Sequence, residues 1–188
     1  MVRWEPGARE RLQAAALEQF AEQGFDGTTV AGIAAAAGLT ERTFFRYFAD
    51  KREVLFSGRN EFEQLFLAGV RDAEDGPPMA IVAAALDDAT AFFPEERRSW
   101  SRARQAVIDA EPSLQERELL KLSALAVAMT RALQQRGVDA TAAALAAESG
   151  VAVFRVAFAG WLADGEERPL AELQRVVLAE LRSVVNTA

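Results

Sequence analysis

The chain has 188 residues, about half of them apolar, enough for one domain or two with real cores. It contains no cysteine and no histidine, which excludes disulfides, the usual zinc and iron ligand sets and Ser-His-Asp chemistry, so no metal and no cofactor is expected. The net charge of −7 is uneven: residues 1–60 hold eight basic and eight acidic side chains, so the whole excess lies beyond them, and total acidity is no argument against nucleic acid.

The start lacks the apolar run of a secretory signal, and no stretch nears ~18 uninterrupted apolar residues; a cytoplasmic protein without a membrane partner is expected. A first helix is predicted from Pro6 to Gln23, with Leu12, Ala16, Leu17 and Phe20 as its apolar stripe and Gly24 just past its end. The turn "DGTT" leads to Thr29, a good cap for a short helix that buries Val30, Ile33, Ala34 and Ala37. Gly38 stops it, and Thr40 caps a third helix ending near Phe48. Asp50, with Glu53 three residues on, is expected to open a long fourth helix carrying Val54, Leu55, Phe62, Phe66 and Val70 inward. After "EDGPP", helices follow at about 79–93, 96–110, 113–136, 139–163 and 169–186. Ser113 and Asp139 are the expected caps of two of them. The pattern predicts about nine helices and no strand.

Two short helices joined by a glycine turn, between Val30 and Phe48, form the pattern of a helix-turn-helix, whose second helix enters the DNA major groove. At ~100° per residue, Phe44 and Phe48 share one face of that helix, while Arg42 and Arg46 lie opposite. One face suits a core and the other a groove.

The segment "ALEQFAEQGFDGTTVAGIAAAAGLTERTFFRYFADKREVLF" (16–56) resembles the DNA-binding domain of the tetracycline-repressor (TetR) family. The match is carried by the "TTV…IA…AG" approach, the "T-x-x-T-F-F-x-Y-F" helix and the "DK" that follows. The resemblance implies base contacts from Thr40, Arg42 and Thr43, phosphate contacts from Phe45, Tyr47 and Lys51, and a Thr29 that caps the second helix toward the backbone. Arg46 joins this set through its face. Two departures weaken backbone gripping: Phe45 stands where the family commonly has tyrosine, and the second helix is nearly all alanine. Further on, "ERELLKLSALA" (116–126) and "FRVAFAGW" (154–161) faintly resemble regulators of the mycofactocin type, which answer acyl-CoA-like effectors.

The remainder is read less sharply. Small residues in 141–162, among them Ala146 and Gly150, and the stripe Leu173, Val177, Leu181 and Val184 are expected to form the seam of a homodimer, which the family builds as a four-helix bundle between subunits. Phe62, Phe66, Phe92, Trp100, Arg104 and Phe158 are the expected lining of an effector cavity. The arginines around Trp100 either receive an anionic head group or are simply solvated.

The expectation is an all-α protein with a helix-turn-helix DNA-binding domain at 1–50 and a helical ligand-binding and dimerisation domain at 51–188. Its function would be that of a transcriptional repressor on a palindromic double-stranded operator, released by a small apolar or amphipathic effector. The alternatives are control by a protein partner or, remotely, an all-α enzyme.

Overall fold

The structure is a computed structural model that describes residues 7–56 and 58–186. Among these residues there are nine α-helices, α1 to α9 in chain order, and no strand. They group into two compact units. Of the described residues, those up to Gly58 together with Trp100–Glu118 form one, and Arg59–Ser99 together with those from Leu119 onward form the other. The boundary expected at residue 50 marks the end of the helix-turn-helix, whereas the compact unit runs on to Gly58 and adds a later segment.

In the N-terminal unit, α1 (Ala8–Gly27) buries Leu12, Ala15, Ala16, Leu17 and Phe20. Its predicted start at Pro6 lies outside the described residues. Gly24 adopts φ +74°, and only one more turn follows it. A glycine fits there because a Cβ is strained in the left-handed region. Next come α2 (Val30–Ala36) and α3 (Glu41–Tyr47). Ile33, Ala34, Phe44 and Phe48 close onto the α1 stripe.

Asp50 caps the next turn as expected, its carboxylate accepting from the Glu53 N–H at 3.0 Å. The long fourth helix does not form. A 3-10 turn (Arg52–Phe56) buries Val54, Leu55 and Phe56, and Gly58, at φ +90°, lies outside helical space, so α4 (Arg59–Asp72) begins afresh.

Helix α6 (Arg98–Asp109) and the first turns of α7 (Pro112–Gln135) complete this unit with Val107, Ile108 and Leu114. Trp100 packs against the same cluster. The Arg104 Nε donates to the Leu55 carbonyl at 2.8 Å, and Nη1 reaches Glu118 at 3.2 Å. At the start of α7 the cap is Glu111, whose carboxylate accepts from the Ser113 N–H at 3.1 Å, so the helix opens two residues earlier than a Ser113 cap requires.

The C-terminal unit packs α5 (Pro78–Ala89) against α4 and α8 (Ala140–Leu162), with α9 (Leu170–Asn186) laid on α8. Asp139 caps α8 as expected, accepting from the Thr141 and Ala142 N–H groups. Seven aromatic side chains fill the middle. The Phe62 ring lies 4.9–5.5 Å from those of Phe66, Phe92, Phe93 and Phe154, and Phe158 and Trp161 continue the stack. Edge and tilted contacts of this kind add to plain burial.

Two expectations are corrected here. Ala146, Gly150 and Leu173 are buried in the protomer's own core and are not available to a second copy. Their small size serves a neighbour within the chain: a Cβ on Gly150 would stand 2.5 Å from Val82 Cγ1 of α5. Val177 and Leu181 are half-buried against the same core, and only Val184, at 63% exposure, points to solvent. The expected cavity lining also divides. Phe62, Phe66, Phe92 and Phe158 belong to this aromatic core, while Trp100 and Arg104 belong to the N-terminal unit.

The basic cluster around Trp100 is largely engaged. Arg98 is buried, donates to the carbonyls of Glu166 and Arg168, pairs with Glu95 at 2.8 Å and sits 5.0 Å from the Trp161 ring. Arg97 donates to the Phe92 carbonyl and stacks on its ring at 4.2 Å; burial lowers its pKa, partly countered by Glu61. By length and composition alone α8 is apolar enough to cross a membrane, but its inward positions, from Ala143 to Trp161, are core.

Candidate nucleic-acid interface

The geometry of α3 follows from its ends. Thr40 is extended (φ −106°, ψ 157°), and its hydroxyl accepts from the Thr43 N–H at 3.2 Å while lying 3.0 Å from the Thr43 hydroxyl. Thr29 does the same for α2, accepting from the Gly32 N–H at 3.0 Å. Each cap satisfies a donor that the first turn leaves orphaned and fixes where its helix starts. Between them, Gly38 at φ +67° turns the chain, and the Leu39 N–H closes on the Ala34 carbonyl at 2.8 Å.

Phe44 is fully buried and Phe48 is 3% exposed; their rings meet at 5.1 Å. Arg42 and Arg46 are exposed on the opposite side, with Thr43 and Tyr47 half-buried on the flanks and Phe45 55% exposed. The helix therefore holds one aromatic face in a core and turns its basic face outward, and an exposed Arg carries the planar fork that bidentate contact with guanine requires. Phe45 offers apolar area only, without the hydroxyl that a tyrosine would bring to a phosphate. The exposed positions of α2 are small and uncharged.

Lys51 departs from its expected place. Its ammonium donates to the carbonyls of Phe25 (2.6 Å) and Thr28 (2.9 Å) and lies 4.1 Å from the Phe25 ring centroid. It is a clasp on the turn between α1 and α2, with its charge directed inward. Asp50 and Glu53 are tied to α7 through Arg117, which reaches Glu53 at 2.6 Å. Burial raises the Asp50 pKa, but the Glu53 N–H and Arg52 outweigh it and hold the carboxyl below its ordinary range. The side chain that sequence reading missed is Arg9, on the first turn of α1, whose guanidinium carbon stands 5.9 Å from the Tyr47 ring centroid. A signal was present: a cation in the first turn of a helix opposes the helix dipole, so it calls for another reason to be there.

Comparison with known proteins fits this arrangement. Residues 12–57 match the tetR family of bacterial regulatory proteins, and residues 76–186 match the MftR C-terminal domain. The chain belongs to the tetR family. That family is one of transcriptional regulators, not enzymes. The regulator TcmR of Streptomyces glaucescens is 43% identical over 75 residues, which are 39% of this chain and 33% of TcmR, so the chain spans a third of that relative's length. Among solved structures, the SmeT–triclosan complex is 22% identical and superposes with a TM-score of 0.64 over 94% of this chain and 90% of that one. SmeT solved as the repressor of the Stenotrophomonas maltophilia efflux pump SmeDEF gives 0.59 at 20% identity, over 94% and 89%. A transcriptional regulator from Aquifex aeolicus gives 0.53 at 16% identity, over 95% and 99%. At these identities the structures establish the fold.

Proposed function

We propose that the chain is a cytoplasmic, homodimeric repressor that reads a palindromic operator through α3 and releases it when a small apolar molecule binds the C-terminal unit. The single observation that carries the DNA reading is the split of α3, with Phe44 and Phe48 buried and Arg42 and Arg46 outward on a helix with a threonine cap. Arg42, Thr40 and Thr43 face the bases in this reading. Tyr47 and Arg46 take phosphates, and Thr29 fixes α2 at the backbone.

One such helix contacts few base pairs, and pairing two on half-sites about 34–36 Å apart supplies the affinity and symmetry. An apolar stripe supports the pairing. Leu145 and Val156 on α8, and Val176 and Val184 on α9, are 51–66% exposed on the sides turned away from the core. The effector site is assigned to the phenylalanine core around Phe62, Phe66, Phe92 and Phe158, without Trp100 and Arg104. With Arg98 held by carbonyls and a carboxylate, and Arg97 by Phe92, the site suits an apolar molecule better than one with an anionic head. That SmeT was solved with triclosan is a parallel on the same fold.

The test is selection of bound duplexes from a random pool, followed by titration of acyl and aromatic compounds with and without the recovered operator. An enriched palindrome and a ligand that binds more weakly to the DNA-bound protein are expected, because linkage is reciprocal. Equal ligand affinity in both conditions would sink the release mechanism, and no enrichment would sink the DNA reading.

A further inference from the structure

Arg9, Arg46 and Tyr47 form a cluster that the base-reading face of α3 does not account for. Arg46 stacks its guanidinium 4.9 Å from the Tyr47 ring centroid and donates from Nη2 to the Tyr47 hydroxyl at 3.2 Å. Arg9, thirty-eight positions earlier on α1, approaches the same ring at 5.9 Å. Among the described residues neither guanidinium has a carboxylate partner, although acidic residues outnumber basic ones in the chain. Two cations gathered on one aromatic ring repel each other, and a ring quadrupole offsets only part of that cost at an exposed site. An anion between them removes it.

We infer that Arg9, Arg46 and Tyr47 clamp a single phosphate of the DNA backbone, so that α1 as well as α3 fixes the protein on the duplex. This rests on the DNA-binding reading above. The chemistry is complete within the three side chains. Each guanidinium presents a planar fork suited to two non-bridging phosphate oxygens. The Tyr47 oxygen accepts from Arg46, which leaves its own proton free to donate to the phosphate. The clamp also supplies the backbone contact that the alanine face of α2, the apolar Phe45 ring and the inward Lys51 do not provide. It carries no base preference, since phosphate contacts position and base contacts specify.

The experiment uses the full chain and the duplex recovered by selection, measuring affinity against salt. Arg9→Ala should flatten the salt dependence by up to ~0.9 in slope per bound protomer, less where Arg46 still neutralises the shared phosphate, and weaken binding by up to about fivefold per protomer near physiological salt, evenly for all sequences. Arg9→Lys should keep most of the slope, because the charge remains, and thereby shows that a merely structural loss is not responsible. Because one phosphate is shared, Arg9→Ala with Arg46→Ala should lose no more than ~0.9 in slope per protomer in total. Unchanged affinity and slope in Arg9→Ala would overturn the clamp, and so would a loss near ~1.8 in slope per protomer in the double variant, which means two separate phosphates. Failure of the unaltered protein to bind any duplex would instead overturn the DNA-binding reading itself, and the clamp with it.

Discussion

Lys51 offers the sharpest choice between a residue's family role and its place in this structure. Lys51→Met keeps most of the apolar stem beside Phe25 but deletes the ammonium, leaving the Phe25 and Thr28 carbonyls without their donor. Hydrogen bonds from a charged group contribute about 1.5–3 kcal/mol each when buried. Lys51 is only half-buried, and water replaces part of what is lost, so a total near ~2 kcal/mol is expected for the pair. For a chain of this size that corresponds to a fall in Tm of roughly 4–8 °C. The consequence for DNA binding is distinct: an inward ammonium neutralises no phosphate, so the slope of affinity against salt should be that of the unaltered protein once measurements are made well below Tm. Thermal unfolding followed by circular dichroism gives the first quantity, and operator titration at several salt concentrations gives the second. An unchanged Tm together with a slope flattened by ~0.9 per protomer would refute the clasp and restore Lys51 to the phosphates.

Three further outcomes are expected. Arg42→Ala should cost roughly 1–3 kcal/mol of operator affinity and relax preference at one base pair per half-site, read by selecting bound sequences again with the variant; retained preference would mean α3 is turned differently in the groove. Val156→Glu places a charge in the middle of the exposed α8 stripe and should give monomers in sedimentation with lost operator binding and intact helix content, whereas a variant that stays dimeric moves the seam elsewhere. Gly150→Ala should destabilise by about 1–3 kcal/mol, since Val82 is fully buried and stiff; Val82→Ala in the same chain should recover part of that loss, and an additive loss would argue against the close approach of α5 and α8.

How much of this was legible in the sequence depends on whether a residue's role is local. The helix-turn-helix was readable because its signals act over three or four positions. The caps at Thr29 and Thr40, the turn at Gly38 and the Phe44–Phe48 spacing each determine geometry within one turn of chain. The break after the 3-10 turn was not read, although Gly58 marked it, because Val54, Leu55 and Phe56 continue an apolar pattern that suits a helix equally well. Roles set by distant partners left weaker traces. Nothing near Lys51 announces that carbonyls at Phe25 and Thr28 will claim it, and Arg104 is claimed by Leu55, forty-nine positions away. The error over Ala146 and Gly150 has a specific cause. A run of small residues says that something approaches α8 closely but not what, and here the approaching element is α5 of the same chain. Once those positions are taken inward, helical geometry leaves Leu145, Ala152 and Val156 as the outward stripe, which is the surface the proposed pairing would cover.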